Sequence, residues 1–205
     1  MSPSTPLVSH ASTILDRVSM RASSATWWTG VQLLSVAFVA ILTAAASQLS
    51  FPLPFTPVPF TIQPMVVLIG AAALGSRLGA LSQTLYLTLG IVGLPVFAFS
   101  PELPQGFARL LGPTGGYLMA YPLAACVTGW LAERGFDRHY GSSILAMTIG
   151  LSVIFAGGVL WLANTVGWSA AVATGLYPFV AVDIVKVMLA GVVLPSLWKL
   201  IGTNR

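Results

Sequence analysis

Two ionisable side chains, Asp183 and Lys186, lie inside the apolar stretch LYPFVAVDIVKVMLAGVVLPSLWKL at residues 176–200. A charge at membrane depth costs at least ~2.5 to 3.5 kcal/mol on insertion scales, so a helix that keeps one of each sign should turn both toward protein. Their spacing of three residues places them on one helical face. Such a pair can clamp a small polar solute among apolar walls, or it can brace neighbouring helices. The residue types alone leave both readings open.

Catalytic chemistry is poorly provided for. The histidines are His10 and His139, neither in an apolar stretch, so an intramembrane serine hydrolase has no base and no histidine cluster can hold a metal. The phosphate-cradling pattern G-x-x-x-x-G-K-[ST] is missing, because Val187 follows Lys186 and Leu200 follows Lys199. Cys126 is the single cysteine, which excludes an intramolecular disulfide, and its apolar neighbours predict a buried, inert thiol. No clear internal repeat marks a secondary transporter, and one Asp/Lys pair offers little for ions to pass through. The expectation is a binding protein, not an enzyme, with no cofactor and no means of powering transport alone.

The elements that hold the pair follow from composition. Of 205 residues 56% are apolar and only 7% charged, and the mean hydropathy is +0.88. Soluble domains carry ~25% charged residues, so this is an integral membrane protein whose surroundings are lipid. The net charge of +4 does not point to nucleic acid, because the basic residues stand singly between apolar runs. Six segments approach the ~20 residues of a spanning helix: about 31–49, 62–75, 79–96, 114–132, 143–163 and 176–200. The second is short, and the tight link Gly75-Ser76-Arg77 makes it a hairpin with the third. Residues 1–29 have no apolar periodicity and read as a mostly disordered cytoplasmic tail ahead of a transmembrane domain at 30–205. A secretory signal cleaved after Ala44-Ala45-Ala46 is the weaker alternative, since the preceding tail is long for one.

Orientation follows from Lys and Arg alone. With both termini cytoplasmic, the inner set is Arg17, Arg21, Arg77, Arg134, Arg138, Lys199 and Arg205, leaving Arg109 as the outer-loop cation. The outer loop FPLPFTPVPFT at 51–61 holds four prolines and no charge, so it cannot be a regular helix and should fold back as a stiff lid. Loop 97–113 is also rich in Pro and Gly and carries Glu102 and Arg109, which read as a loop salt bridge or as a partner for a ligand carboxylate. Irregular backbone near membrane depth is tolerated where it lines a cavity, which puts the ligand pocket on the outer side. A helix entering at Tyr177 sets Asp183 and Lys186 ~9 and ~14 Å below the boundary at 1.5 Å per residue.

Four ordered segments carry a resemblance. They are Pro57-Val58-Pro59-Phe60-Thr61-Ile62-Gln63, Gly90-Ile91-Val92-Gly93-Leu94-Pro95-Val96-Phe97, Gly112-Pro113-Thr114-Gly115-Gly116-Tyr117-Leu118 and Asp183-Ile184-Val185-Lys186. Together they resemble the substrate-binding S component of the energy-coupling factor transporters, specifically the biotin family BioY, over residues 31–203. The resemblance implies an all-α, six-transmembrane-helix bundle with an outward-facing pocket in the plasma (cell inner) membrane. It also implies biotin as ligand, with a transmembrane coupling protein and two ATPase subunits as partners. By motif position it implies Asp183 and Lys186 as polar ligands, Tyr117 as a wall residue, and Phe60 and Thr61 as lid residues. Interface anchoring for Tyr117 and loop shaping for Phe60 and Thr61 stay open, and Gly115 and Gly116 read as close-packing positions. The family's glycine-rich stretch after Pro-Val-Phe is replaced here by Ala98-Phe99-Ser100-Pro101-Glu102, so its contacts do not transfer. Ala37, Ala40, Ala44 and Ser47 form a small-residue face that fits either a docking partner or the bundle itself. An S component for another vitamin, or a membrane assembly protein with a structural ion pair, are the competing functions.

Overall fold

Residues 13–19, 25–100 and 103–202 are described by the computed structural model, and the fold is mostly helical. A helix forms in each of the six predicted segments: α2 (Ala25–Gln48), α3 (Gln63–Leu74), α4 (Ser76–Ile91), α6 (Gly115–Glu133), α7 (Tyr140–Val166) and α9 (Tyr177–Gly202). Three shorter helices were not expected: α1 (Ile14–Ser19), α5 (Ala108–Leu111) and α8 (Trp168–Gly175). α1 lies in the stretch read as a disordered tail. It opens on a reciprocal cap, in which Asp16 N donates to Thr13 Oγ1 and Thr13 N to Asp16 Oδ2, both at 3.1 Å. The remaining tail residues 1–12 and 20–24, with Arg21, fall outside the described set, as do Arg205 and Glu102.

Three stretches, Trp27–Gln48, Tyr140–Val166 and Tyr177–Ile201, are long and apolar enough to cross a membrane. α3, with 12 residues, rises only ~18 Å, against ~30 Å of hydrocarbon. Large apolar side chains cover the outside of the bundle, among them Leu34, Phe38, Leu123, Met188 and Leu189. Exposed hydroxyls are satisfied within their own helices: Thr84, Thr88, Thr148, Ser152 and Ser196 each donate to the carbonyl four residues back at 2.7–2.9 Å. A helix face with its polar atoms self-satisfied can meet lipid without leaving donors bare. Cys126 lies on such a face and is exposed, contrary to the expected burial. In a membrane protein an apolar neighbourhood marks the lipid side as readily as the core.

α6 is the hub, packed on α3, α4 and α7. A Cβ on Gly116 would run into the Gly157 carbonyl and the Trp161 side chain, so α6 and α7 approach at backbone distance. That is the close-packing role read for Gly115 and Gly116. The small face of α2 turns mostly into its own bundle: Ala40 is in the core, and Ser47 Oγ donates to Val96 O at 2.6 Å.

The connections differ at the two ends. At one end Gly75, at φ 87, turns α3 into α4, and residues 134–139 link α6 to α7. At the other, Ser50–Phe51 pairs antiparallel with Phe60–Thr61 as β1 and β2, folding the proline-rich loop back on itself. α4 ends at Ile91, five residues before its predicted limit, because Gly93 adopts φ 98 and Pro95 cannot continue a helix. The freed segment carries Phe97 back against Gly90 and edge-on to Tyr86, with centroids 5.7 Å apart.

Candidate functional site

α9 places Asp183 and Lys186 on its buried face, 3% and 8% exposed. Lys186 Nζ donates to Asp183 Oδ1 at 2.5 Å and to the Thr61 carbonyl at 2.6 Å. It also lies 3.8 Å from the Phe60 ring centroid, and Phe60 stacks on Phe179 of α9 at 6.5 Å with 7° between planes. Strand β2 is therefore tied to α9 through backbone and ring together. A paired, hydrogen-bonded charge is the form in which burial is bearable.

Next to this pair is a small cavity of about 40 Å³, lined by Val58, Pro59, Thr61, Gln63, Ala98, Arg109, Thr114, Tyr117, Leu118 and Tyr121. Asp183 and Lys186 are not among its lining residues; they adjoin it through Thr61. A wider cleft of about 530 Å³ lies between residues 52–59 and Ser100 and Leu103, with Pro59 on the wall of both spaces. The cleft is the larger opening, but no charged group lines it among the described residues, so the small cavity marks the chemistry.

Of the predicted residues, Thr61 and Tyr117 line that cavity, while Phe60, Asp183 and Lys186 close in behind Thr61. Tyr117 is buried, not an exposed interface tyrosine; its hydroxyl donates to Gly175 O at 2.7 Å and its ring packs on Gly158 and edge-on to Phe155. Trp168 and Tyr177, at the starts of α8 and α9, are exposed.

Arg109 is the main residue that sequence reasoning underrated. It is 1% exposed; Nη2 donates to Ala98 O at 2.8 Å, while buried Nε and Nη1 have no acceptor among the described residues. Burial pushes its guanidinium below its usual pKa. Thr114 Oγ1, on the same wall, is also buried without a partner. A buried donor or acceptor left unpaired costs ~1 to 3 kcal/mol, so these atoms are the ones on this wall with hydrogen-bonding capacity to spare. The sequence signal was the presence of a single cation in an otherwise uncharged outer loop. Gln63 and Tyr86 were also missed as a unit: Gln63 Nε2 donates to Tyr86 Oη at 2.7 Å, and Tyr86 donates on to Val96 O at 3.2 Å. Chemically the groups at and behind the cavity can accept from N–H groups and donate to a carbonyl or carboxylate, beside apolar wall residues.

Most of the chain is similar to proteins already described. A family model described as BioY family matches residues 20–203. A Pyrococcus horikoshii protein named "Probable biotin transporter BioY" is 40% identical over 158 residues, spanning 77% of this chain and 90% of its own. A Thermotoga maritima protein named "Biotin transporter BioY" is 36% identical over 170 residues, covering 82% and 96%. The crystal structure of the S-component for biotin from an ECF-type ABC transporter superposes with a TM-score of 0.73 at 25% identity, covering 87% of this chain and 95% of that one.

Proposed function

The chain belongs to the BioY family, and from that premise we propose that it captures biotin with high affinity for uptake, as the S component of an energy-coupling factor transporter. The observation that carries this is the buried Asp183–Lys186 pair held beneath β2, beside a wall whose Arg109 donors lack acceptors. Biotin offers two ureido N–H groups, a ureido carbonyl, a carboxylate and an apolar thiophane ring. Asp183 accepts from an N–H, and Lys186 and Arg109 divide the carbonyl and the carboxylate between them. Tyr117 forms wall, and Phe60 and Thr61 form lid.

Ligand pockets measure ~300 to 1,000 Å³, an order of magnitude above the present cavity. Binding therefore moves the lid. Residues 56–59, between the cleft and the cavity, are the part that yields, and Lys186 exchanges the Thr61 carbonyl for ligand.

The same reading sets six helical segments across the plasma membrane with both termini cytoplasmic and the pocket outward. It is supported by Arg77, Arg134, Arg138 and Lys199, which all lie at or beside the end opposite the pocket. Transport itself is assigned to partners, a transmembrane coupling protein and two ATPase subunits, with this chain as carrier rather than catalyst.

Equilibrium binding of labelled biotin to purified, folded protein tests the proposal. Saturable binding displaced by unlabelled biotin is expected. Its absence sinks the biotin assignment, and binding of a different vitamin instead would keep the transporter class while changing the solute.

A further inference from the structure

Gln63 is 2% exposed and lines the small cavity at the start of α3. Its amide orientation is fixed by its neighbours. Nε2 lies 2.7 Å from Tyr86 Oη and 3.4 Å from the Thr43 carbonyl, and a carbonyl can only accept, so the nitrogen occupies that side. Tyr86 in turn spends its proton on Val96 O, which makes its oxygen the acceptor for Gln63. The remaining atom, Gln63 Oε1, accepts no hydrogen bond among the described residues. A residue whose only task was to join α2, α3 and α4 would be complete with its nitrogen alone.

The geometry points to Gln63 as a specificity-determining residue whose Oε1 accepts one ureido N–H of the ligand, leaving the other N–H to Asp183. This rests on the biotin reading above and deepens it. The two acceptors differ in kind. Asp183 is ionic and already shared with Lys186, whereas Gln63 is neutral and clamped by Tyr86 and Thr43 in one orientation. A site built to receive an N–H rejects an analogue that lacks it far more strongly than apolar contacts could. Gln63 would thus distinguish a cyclic urea bearing two N–H groups from the same ring with one nitrogen substituted.

The test measures equilibrium binding of biotin and of its two mono-N-methylated ureido analogues to the full chain and three variants. Wild type should bind biotin and reject both analogues by at least tenfold. Gln63→Leu should weaken biotin by tenfold or more while changing one analogue less than threefold, so that rejection of that analogue collapses. Tyr86→Phe removes only the residue that positions the amide; it should lower affinity modestly and keep both rejections. Equal loss of biotin and both analogues in Gln63→Leu, or collapse in Tyr86→Phe as complete as in Gln63→Leu, overturns the assignment. If Gln63→Leu is not recovered folded, Gln63→Glu decides, since it keeps the acceptor and loses the donor: retained rejection supports the proposal and lost rejection overturns it. Failure of wild type to bind biotin would instead refute the underlying function, which is a separate outcome.

Discussion

The two ends of the helix bundle use charge in opposite ways. At the pocket end, Asp183, Lys186 and Arg109 are buried, and Arg109 keeps two nitrogens without acceptors beside a cavity. At the basic end, charges are spent on structure. Glu133 Oε1 accepts from Ser76 N and Oγ at 2.7 and 2.8 Å, capping α4, and Asp137 Oδ2 accepts from Trp198 Nε1 at 2.5 Å. Three of the cations there lie on aromatic faces: Arg134 Cζ is 3.4 Å from the Trp130 ring centroid, Arg138 Cζ 5.1 Å from that of Trp198 and Lys199 Nζ 4.5 Å from that of Tyr140. The contrast is one of placement: the Arg109 nitrogens without acceptors among the described residues line a cavity, whereas the basic end's charges, Asp137 Oδ1 aside, meet groups of the fold.

The strongest way to break this contrast is to unpair the pocket charges. Lys186→Ala strands Asp183 in the bundle, and the loss of one partner from a buried pair costs ~3 to 5 kcal/mol. Thermal unfolding in detergent should register that loss, and biotin affinity should fall at least tenfold, or ~1.4 kcal/mol. Asp183→Asn should weaken biotin by at least tenfold too. The double change Asp183→Asn/Lys186→Met should recover much of the stability and none of the binding. A double variant that binds biotin normally would make the pair a brace.

Arg109→Met should split the two properties in opposite directions. It removes two buried donors that lack acceptors, each costing ~1 to 3 kcal/mol, so the empty protein should unfold at a higher temperature while biotin binding drops tenfold or more. Repeating the titration with the uncharged amide of biotin identifies the partner. If Arg109 meets the carboxylate, the amide should bind wild type and Arg109→Met alike.

At the basic end the effects should be smaller and confined to stability. Burial raises the Asp137 carboxyl above its ordinary value, and its Oδ1 has no partner among the described residues. A raised folded-state value means that ionisation costs stability as pH rises from the usual carboxylate value, ~3.9, through the folded one. Asp137→Asn keeps an acceptor for Trp198 and avoids that cost. It should therefore melt above wild type at neutral pH, with the gap closing as pH falls below the unfolded-state value. Glu133→Gln should give the least change, ~1 kcal/mol from a charge-assisted cap, with biotin affinity held within twofold. A tenfold affinity loss from either variant would erase the division between the ends.

How much of this was readable in advance depended on contrast with surroundings. Asp183 and Lys186 stand out because nothing near them in the chain is charged, and the six helical segments stand out as apolar runs. Arg109 did not, since a loop cation near Glu102 reads first as half of a loop salt bridge until the fold wraps Ala98 and Thr114 around it. Tyr86 is an aromatic among apolar residues, and only the path from Gln63 to Val96 O gives it a task. Cys126 was misplaced because hydropathy cannot tell a lipid-facing surface from a core. α5 and α8 were missed because four and eight residues are too few to establish a period.

The bond from Lys186 to strand β2 ends on a main-chain carbonyl rather than on a side chain. Every amino acid supplies that oxygen. Substitutions along residues 52–61 can therefore accumulate without deleting the atom that Lys186 grips, provided the backbone keeps its path. Sequence drift along residues 52–61 and constancy of that fastening are therefore compatible.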